Sequence, residues 1–340
     1  MKILVYTPAF LPKVGGLELN TAQLAERFQR AGHEVTVVTT TPGESPGLAY
    51  RVVRDPSPWE LLSWTRWCDV FYQANVSLRG LWPLLLVRRP WVVSHHSWYC
   101  RTGGQVAWQD HLKRWLLRFA ASSISVSEAV AADLDTPSVV IPNAYRDELF
   151  RRLPGIERTE DLVFLGRLVS DKGVDLLLDA LALLAEEGLH PGLSVIGGGP
   201  EATALREQAE RLGLAGQVRF LGVRTGEELV EILNRHRILV VPSRYHEPFG
   251  IVALEGIACG CVVVGSEGGG LKDAIGPCGD TFRNGDTEDL ARVLGERLRH
   301  PERDTECLDQ AEAHLARHSA RKATEAYLRE IEKAVRRKTA

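Results

Sequence analysis

The residues best placed to do chemistry are two glutamates, Glu247 and Glu255, in the stretch Arg244-Tyr245-His246-Glu247-Pro248-Phe249-Gly250-Ile251-Val252-Ala253-Leu254-Glu255. An apolar run, Ile238-Leu239-Val240-Val241, reaches it through Pro242-Ser243. Pro248 suits a first helical turn, where its missing N–H is not needed. This predicts Glu247 just ahead of a helix and Glu255 about two turns inside it, their backbones about 12 Å apart. The first N–H groups of such a helix, near Phe249, Gly250 and Ile251, have no partner within it and suit phosphate or sugar oxygens. One carboxylate at each end then matches an extended nucleoside-diphosphate sugar. The same spacing equally fits an amphipathic helix with two solvated glutamates.

Other residues could complete such a site. Arg167 and Lys172 flank a loop that opens a helix over 174–184. Two cations beside a helix N-terminus suit a diphosphate, although two solvated basic residues fit as well. His95 and His96 end the apolar strand Trp91-Val-Val-Ser94, at the end of a parallel strand that faces ligands in open α/β sheets. Gly15 and Gly16 follow the first strand and open a helix, where they allow close backbone approach or simply a tight entry. They do not form Gly-x-Gly-x-x-Gly, so a dinucleotide site is not supported. No third ligand stands beside the two histidines, and Arg167 and Lys172 can neutralise a departing diphosphate, so no metal is expected.

The elements that would position these residues alternate along the chain. Strands are expected at 3–6, 34–40, 50–53, 69–73, 91–95, 122–126 and 138–141. A polar linker follows over 151–160, then strands at 162–165, 193–196, 218–221, 238–241 and 261–265. Helices lie between them, which is the pattern of parallel α/β sheets. With 340 residues there is room for two domains. Charged residues make up 25%, hydrophobic residues 44%, and the net charge is −3, which exerts no overall pull toward nucleic acid. The six cysteines (68, 100, 259, 261, 278 and 307) contain no Cys-x2-Cys pair and read as reduced thiols of a cytoplasmic protein. Met1-Lys2 leads straight into a short strand, too short for a signal peptide, and no run of ~18 apolar residues follows.

All eight tryptophans fall between positions 59 and 115. A core takes some of them; stacking on sugars or resting in a membrane interface would use others. The segment from Trp108 to Phe119, with Lys113, Arg114, Trp115 and Arg118, reads as a basic aromatic amphipathic helix, suited to a membrane surface or to water.

Taken together these stretches resemble the retaining glycosyltransferases of family 4. Glu247-Pro-Phe-Gly-Ile-Val-Ala-Leu-Glu255 resembles their Glu-x7-Glu motif, and Gly166-Arg167-x4-Lys172-Gly173 their diphosphate-gripping loop. Ile141-Pro142-Asn143-Ala144 is similar to their hinge, and Glu267-Gly268-Gly269-Gly270-Leu271-Lys272-Asp273 to a Gly-Gly-x-x-Glu segment, with Asp273 in place of glutamate. The resemblance implies an α/β fold of the GT-B kind, two Rossmann-like domains with parallel sheets facing a central cleft. The first, 1–150, would meet the acceptor. The second, 151–310, would bind the nucleotide sugar, and a helix within 311–340 would cross back to the first.

It further implies transfer of a sugar, with retention and without a metal or other cofactor, from a nucleotide diphosphate sugar, UDP favoured on family frequency. The acceptor would be a glycan or lipid-linked sugar, with no nucleic acid as partner. The setting would be cytoplasmic, with peripheral contact to the inner membrane face. Glu247, His95, Arg167 and Lys172 would be catalytic. The donor would also meet Gly15, Gly16, Gly197, Leu221, Val223, Phe249, Gly250, Ile251 and Glu255. His96, which stands where the family has aspartate, and Trp98 and Trp108 lie on the acceptor side. The alternatives are another GT-B enzyme, either a nucleotide-sugar epimerase or an inverting transferase, and a catalytically silent module that binds a nucleotide sugar.

Overall fold

The computed structural model describes residues 1–13, 15–44, 47–99 and 107–339, without the side chains of 338 and 339. Cys100, counted above, lies outside the described residues. The other five cysteines are buried free thiols.

The chain divides into two compact units. The first comprises Met1–Asn143 with Arg321–Ala340. Its strands are β1 (Lys2–Thr7), β2 (Glu34–Thr39), β3 (Arg51–Arg54), β4 (Val70–Ala74), β5 (Trp91–His95), β6 (Ser122–Ser125) and β7 (Val139–Val140). They form a seven-stranded sheet in the order β3-β2-β1-β4-β5-β6-β7. The pairing is parallel, with Ile3 opposite Val35 on one side and Val70 on the other. Runs such as Ile3-Leu4-Val5-Tyr6 are apolar throughout because both faces of the sheet are covered. One face buries Ile3, Val5, Phe28 and Tyr72; the other buries Leu4, Tyr6, Phe71 and Val93.

The second unit is Ala144–Ala320. It holds β8 (Glu160–Leu165), β9 (Leu193–Ile196), β10 (Val218–Gly222), β11 (His236–Val241), β12 (Val262–Ser266) and β13 (Gly279–Phe282). The order is β10-β9-β8-β11-β12-β13, again parallel. Leu162, Phe164, Val195, Ile238 and Val240 pack under the helices Val174–Glu186 and Thr287–Arg299.

Two boundaries differ from the sequence-based expectation. The second unit begins at Ala144 rather than 151, because Arg146 pairs with Glu255 of that unit. The segment 311–320 also belongs there, since His314 Nε2–H donates to the Ala274 carbonyl at 2.8 Å and His318 lies against Phe249. The helix Ala320–Thr339 rejoins the first unit and buries Tyr327, Ile331 and Ala334 in its core.

Candidate functional site

In an open parallel sheet, ligands gather outside the carboxyl ends of the strands where the strand order reverses. In the second unit that point lies between β8 and β11. The loop after β8 contains Arg167, a short 3-10 turn Ser170–Lys172, and Gly173. Gly173 has φ 66°, and a Cβ there would sit 2.0 Å from the Pro242 carbonyl oxygen, so only glycine lets the two loops touch through their backbones. Arg244 fastens the contact: its N–H donates to the Asp171 carbonyl at 2.9 Å, and its guanidinium pairs with Asp175 at 2.5 Å.

Glu247 sits at the centre of this contact and is 8% exposed. Its Oε1 accepts from Lys172 Nζ at 2.5 Å and from Ser243 Oγ at 2.6 Å. The backbone is fixed as well, since Glu247 forms a parallel bridge to Gly269 and its carbonyl accepts from Gly270 N–H at 2.7 Å. This bridge corrects the expected helix start. The helix runs Ile251–Ala258 behind Gly250 (φ 99°), and Pro248 lies outside it. Glu247 and Glu255 are therefore not separated by helical rise alone. Arg167 is exposed, and no ion pair is recorded for it among the described residues. The two cations of the loop thus differ: Lys172 is bound to the carboxylate, Arg167 open to a ligand.

Glu255 is half-buried on its helix, its carboxylate 3.6 Å from Arg146. Burial pushes its pKa up to about 7, with Arg146 pulling the other way. Phe249 turns inward, its ring 5.7 Å from that of His318, so at most its backbone can serve a donor. Burial lowers the pKa of His318 to about 4 and keeps the ring neutral beneath the loop. Gly197 ends β9 at φ 145°, where a Cβ would strike the Gly166 carbonyl oxygen at 1.8 Å. Leu221 is half-buried at the end of β10, and Val223 just beyond it is exposed.

The first unit holds the remaining candidates. Gly15 precedes the helix Gly16–Arg30 in extended conformation, and a Cβ on Gly16 would meet nothing within 4 Å. The backbone does not require glycine there, and the space over it is open. His95 is fully enclosed, its ring nitrogens 2.5 Å from Tyr99 Oη and 2.8 Å from Ser123 Oγ. Burial, with the neighbouring His96, depresses its pKa to about 3. Both of its ring nitrogens are thus engaged inside the fold. His96 is the half-exposed ring. Its Nε2 lies 2.7 Å from Ser94 Oγ, and its Nδ1 is held only loosely, 3.4 Å from Asn20 Nδ2. Burial lowers its pKa to about 4, opposed by a hydrogen bond with Asn143.

Trp59, Trp108 and Trp115 are exposed, Trp91 is core, and Trp98 is half-buried. On the helix Trp108–Leu116 and the turn beyond it, Trp108, Leu112, Trp115 and Phe119 form one exposed stripe. Two expected surface cations are tied down instead. Arg114 pairs with Asp133 at 2.6 Å and Lys113 with Asp110 at 3.0 Å. Arg118 remains exposed. Among the described residues no cluster of three His, Cys, Asp or Glu side chains could hold a metal, and no helix is long and apolar enough to cross a membrane.

Reading the sequence missed Ser243, Arg146, Asn20 and Asn143 as site residues. Ser243 had a signal, a hydroxyl in the turn just ahead of Glu247; the other three depend on partners far away in the chain.

Comparison with known proteins fits this arrangement. A sequence model described as Glycosyltransferase Family 4 matches residues 14–149, and one described as Glycosyl transferases group 1 matches residues 146–314. An uncharacterized glycosyltransferase of Methanocaldococcus jannaschii is 29% identical over 324 residues, covering 81% of this chain and 83% of that protein. A glycogen synthase of Mycobacterium tuberculosis is 29% identical over 366 residues, covering 88% of this chain and 87% of that protein. The structure of Anabaena HepE in complex with UDP superposes with a TM-score of 0.84 at 21% identity, covering 98% of this chain and all of that one. At that identity the likeness shows the fold.

Proposed function

Because this chain belongs to the family 4 glycosyltransferases of GT-B fold, we propose that it moves a sugar from a nucleotide diphosphate donor, UDP favoured, to a glycan or lipid-linked acceptor with retention at the anomeric carbon. The observation that carries the reading is the Lys172–Glu247 pair at the switch point of the second sheet, with Arg167 open on the same loop. HepE, solved with UDP, supports the choice of base.

Arg167 and Lys172 take the donor diphosphate, and in doing so Lys172 exchanges Glu247 for phosphate oxygens. Glu247 then turns to the sugar hydroxyls and faces the positive charge that grows at the anomeric carbon. Glu255 receives the ribose hydroxyls. The bond from the anomeric carbon to the phosphate oxygen breaks, and the electron pair leaves with the diphosphate. The acceptor oxygen forms its bond on the same face, and its proton passes to the departing phosphate. The two cations neutralise that leaving group, so no metal is needed. Neutral His95 acts as a positioning residue for its neighbour His96. The apolar stripe of Trp108, Leu112, Trp115 and Phe119 rests on the cytoplasmic face of a membrane.

A thermal-shift panel of UDP-, GDP- and ADP-sugars tests the donor, because a ligand that binds only the folded chain raises its apparent stability. A clear shift with a UDP-sugar is expected. Absence of a shift with every nucleotide sugar overturns the reading. Product stereochemistry by NMR separates retention from inversion and from epimerisation.

A further inference from the structure

Two loops of the second unit meet at Glu247: residues 243–247 after β11 and residues 268–270 after β12. The Glu247–Gly269 bridge joins them through their backbones. A side chain from a third loop joins them again. Asn284, just beyond β13, donates from Nδ2 to the Ser243 carbonyl at 3.1 Å. Its Oδ1 accepts from the Gly268 N–H at 2.7 Å. Asn284 belongs to none of the motifs and has no part in the donor or acceptor assignments.

The amide is held in place from both sides. Its turn is closed by Asp286 N–H on the Arg283 carbonyl at 3.1 Å. Both flanks are tied to the helix Thr287–Arg299, since Arg283 N–H donates to Asp289 Oδ2 at 2.8 Å and Asp286 Oδ1 accepts from Asp289 N–H at 2.9 Å. A Cβ on Gly268 would lie 2.5 Å from Asn284 Oδ1, so the glycine backbone meets the amide directly. Of the two amide orientations, only this one sets a donor on the carbonyl and an acceptor on the N–H; a flip opposes like to like at both ends. An ionised carboxylate of the same shape only accepts, so the position suits asparagine and not aspartate.

These bonds close a circuit. The Ser243 carbonyl holds Asn284, and the Ser243 hydroxyl holds Glu247 Oε1 at 2.6 Å. The Glu247 carbonyl accepts from Gly270 N–H, and Gly268 leads back to Asn284. Ser243 is fully buried. We infer that Asn284 is a positioning residue for transfer: through Ser243 it fixes the Glu247 carboxylate against the glycine loop when Lys172 turns to the donor phosphates. The inference rests on the transferase reading above.

The test compares Asn284→Asp with the wild type, each with and without Ser243→Ala. Turnover is read as UDP release from the better of UDP-glucose and UDP-N-acetylglucosamine, beside titration with UDP and melting temperature. At neutral pH the aspartate keeps the contact to Gly268 and turns an oxygen on the Ser243 carbonyl. Asn284→Asp should lower turnover at saturating donor by roughly tenfold or more. UDP affinity should change less than about twofold, because UDP lacks the sugar that Glu247 meets. In the Ser243→Ala background the same substitution should cost much less turnover, because the hydroxyl that carries its effect is gone; independent sites would add. Unchanged turnover in Asn284→Asp, or an equal loss in both backgrounds, overturns the inference. If the wild type releases no UDP and no nucleotide sugar raises its melting temperature, the transferase reading fails. The cycle read as melting temperature without ligand then decides on its own: coupled shifts uphold the hold of Asn284 on Glu247, and additive shifts overturn it.

Discussion

Glu247 and Glu255 share a motif but not an environment. Glu247 is held by Lys172 and Ser243 at the switch point, whereas Glu255 faces Arg146. Glu247→Gln should cut turnover far more than UDP affinity, and Glu255→Gln should do the reverse. Steady-state kinetics alongside UDP titration check this; like behaviour of the two variants would discard the assigned order of the ligand. The two loop cations should separate in the same way. Arg167→Ala should lose roughly 1.5–3 kcal/mol of UDP binding without loss of stability. Lys172→Ala should lose both, because it strands a buried carboxylate without its cation. Denaturation curves beside titrations tell them apart.

Glu255 also carries a pH signature. Its folded pKa, about 7, lies above the ordinary glutamate value of 4.5, so the folded chain binds the extra proton between those values. Stability should therefore fall as pH rises through that window, and Glu255→Gln should flatten the slope. A melting-temperature profile from pH 4.5 to 8 measures it.

At this scale the motifs were legible because glycines and charges cluster in single loops. The state of the histidines was not. Strand alternation turns His95 and His96 to opposite faces, and only Tyr99 and Ser123, brought in by folding, show that His95 is the enclosed one.

Among the elements, the strands were the most legible, since runs buried on both faces leave continuous apolar stretches. The start of the helix after β11 was not, because Glu247 is held in a bridge to Gly269, a residue beyond the next strand. The helix Trp108–Leu116 was legible as amphipathic, but its charges were misassigned, since Asp133, the partner of Arg114, lies outside the helix. Membrane contact should accordingly depend on the apolar stripe more than on charge. Trp115→Ser with Phe119→Ser should abolish co-sedimentation with phosphatidylcholine–phosphatidylglycerol vesicles. Each large apolar side chain contributes up to roughly 1.5–3 kcal/mol when buried. Arg118→Glu should only weaken it, and chiefly at low salt. A double variant that still sediments with the vesicles would remove the stripe from the account.

For the molecule as a whole, two sheets were foreseeable from two series of strands, but the exact borders were not. From sequence Arg146 falls in the first domain and His318 in the terminal helix segment, until their partners Glu255 and Phe249 are seen. The helix Ala320–Thr339 completes the first unit: Tyr327 is 1% exposed, edge-on to Tyr72 at 6.2 Å between ring centroids. Tyr327→Ala should cost about 3–5 kcal/mol, in the range for truncating a buried aromatic side chain. Hydrogen exchange should speed up in β1 and β4 and stay unchanged in β8 and β11.

That helix also sets a schedule for synthesis. Domains generally fold as units as the chain emerges, the N-terminal one first. Here the unit that begins the chain cannot close its core around Ile3 and Val5 until Tyr327, Ile331 and Ala334 have been made. The second unit, continuous from Ala144 to Ala320, has no such wait. On the ribosome the order is thus inverted: the part translated first is the part finished last, and its half-built sheet stands open while the other folds.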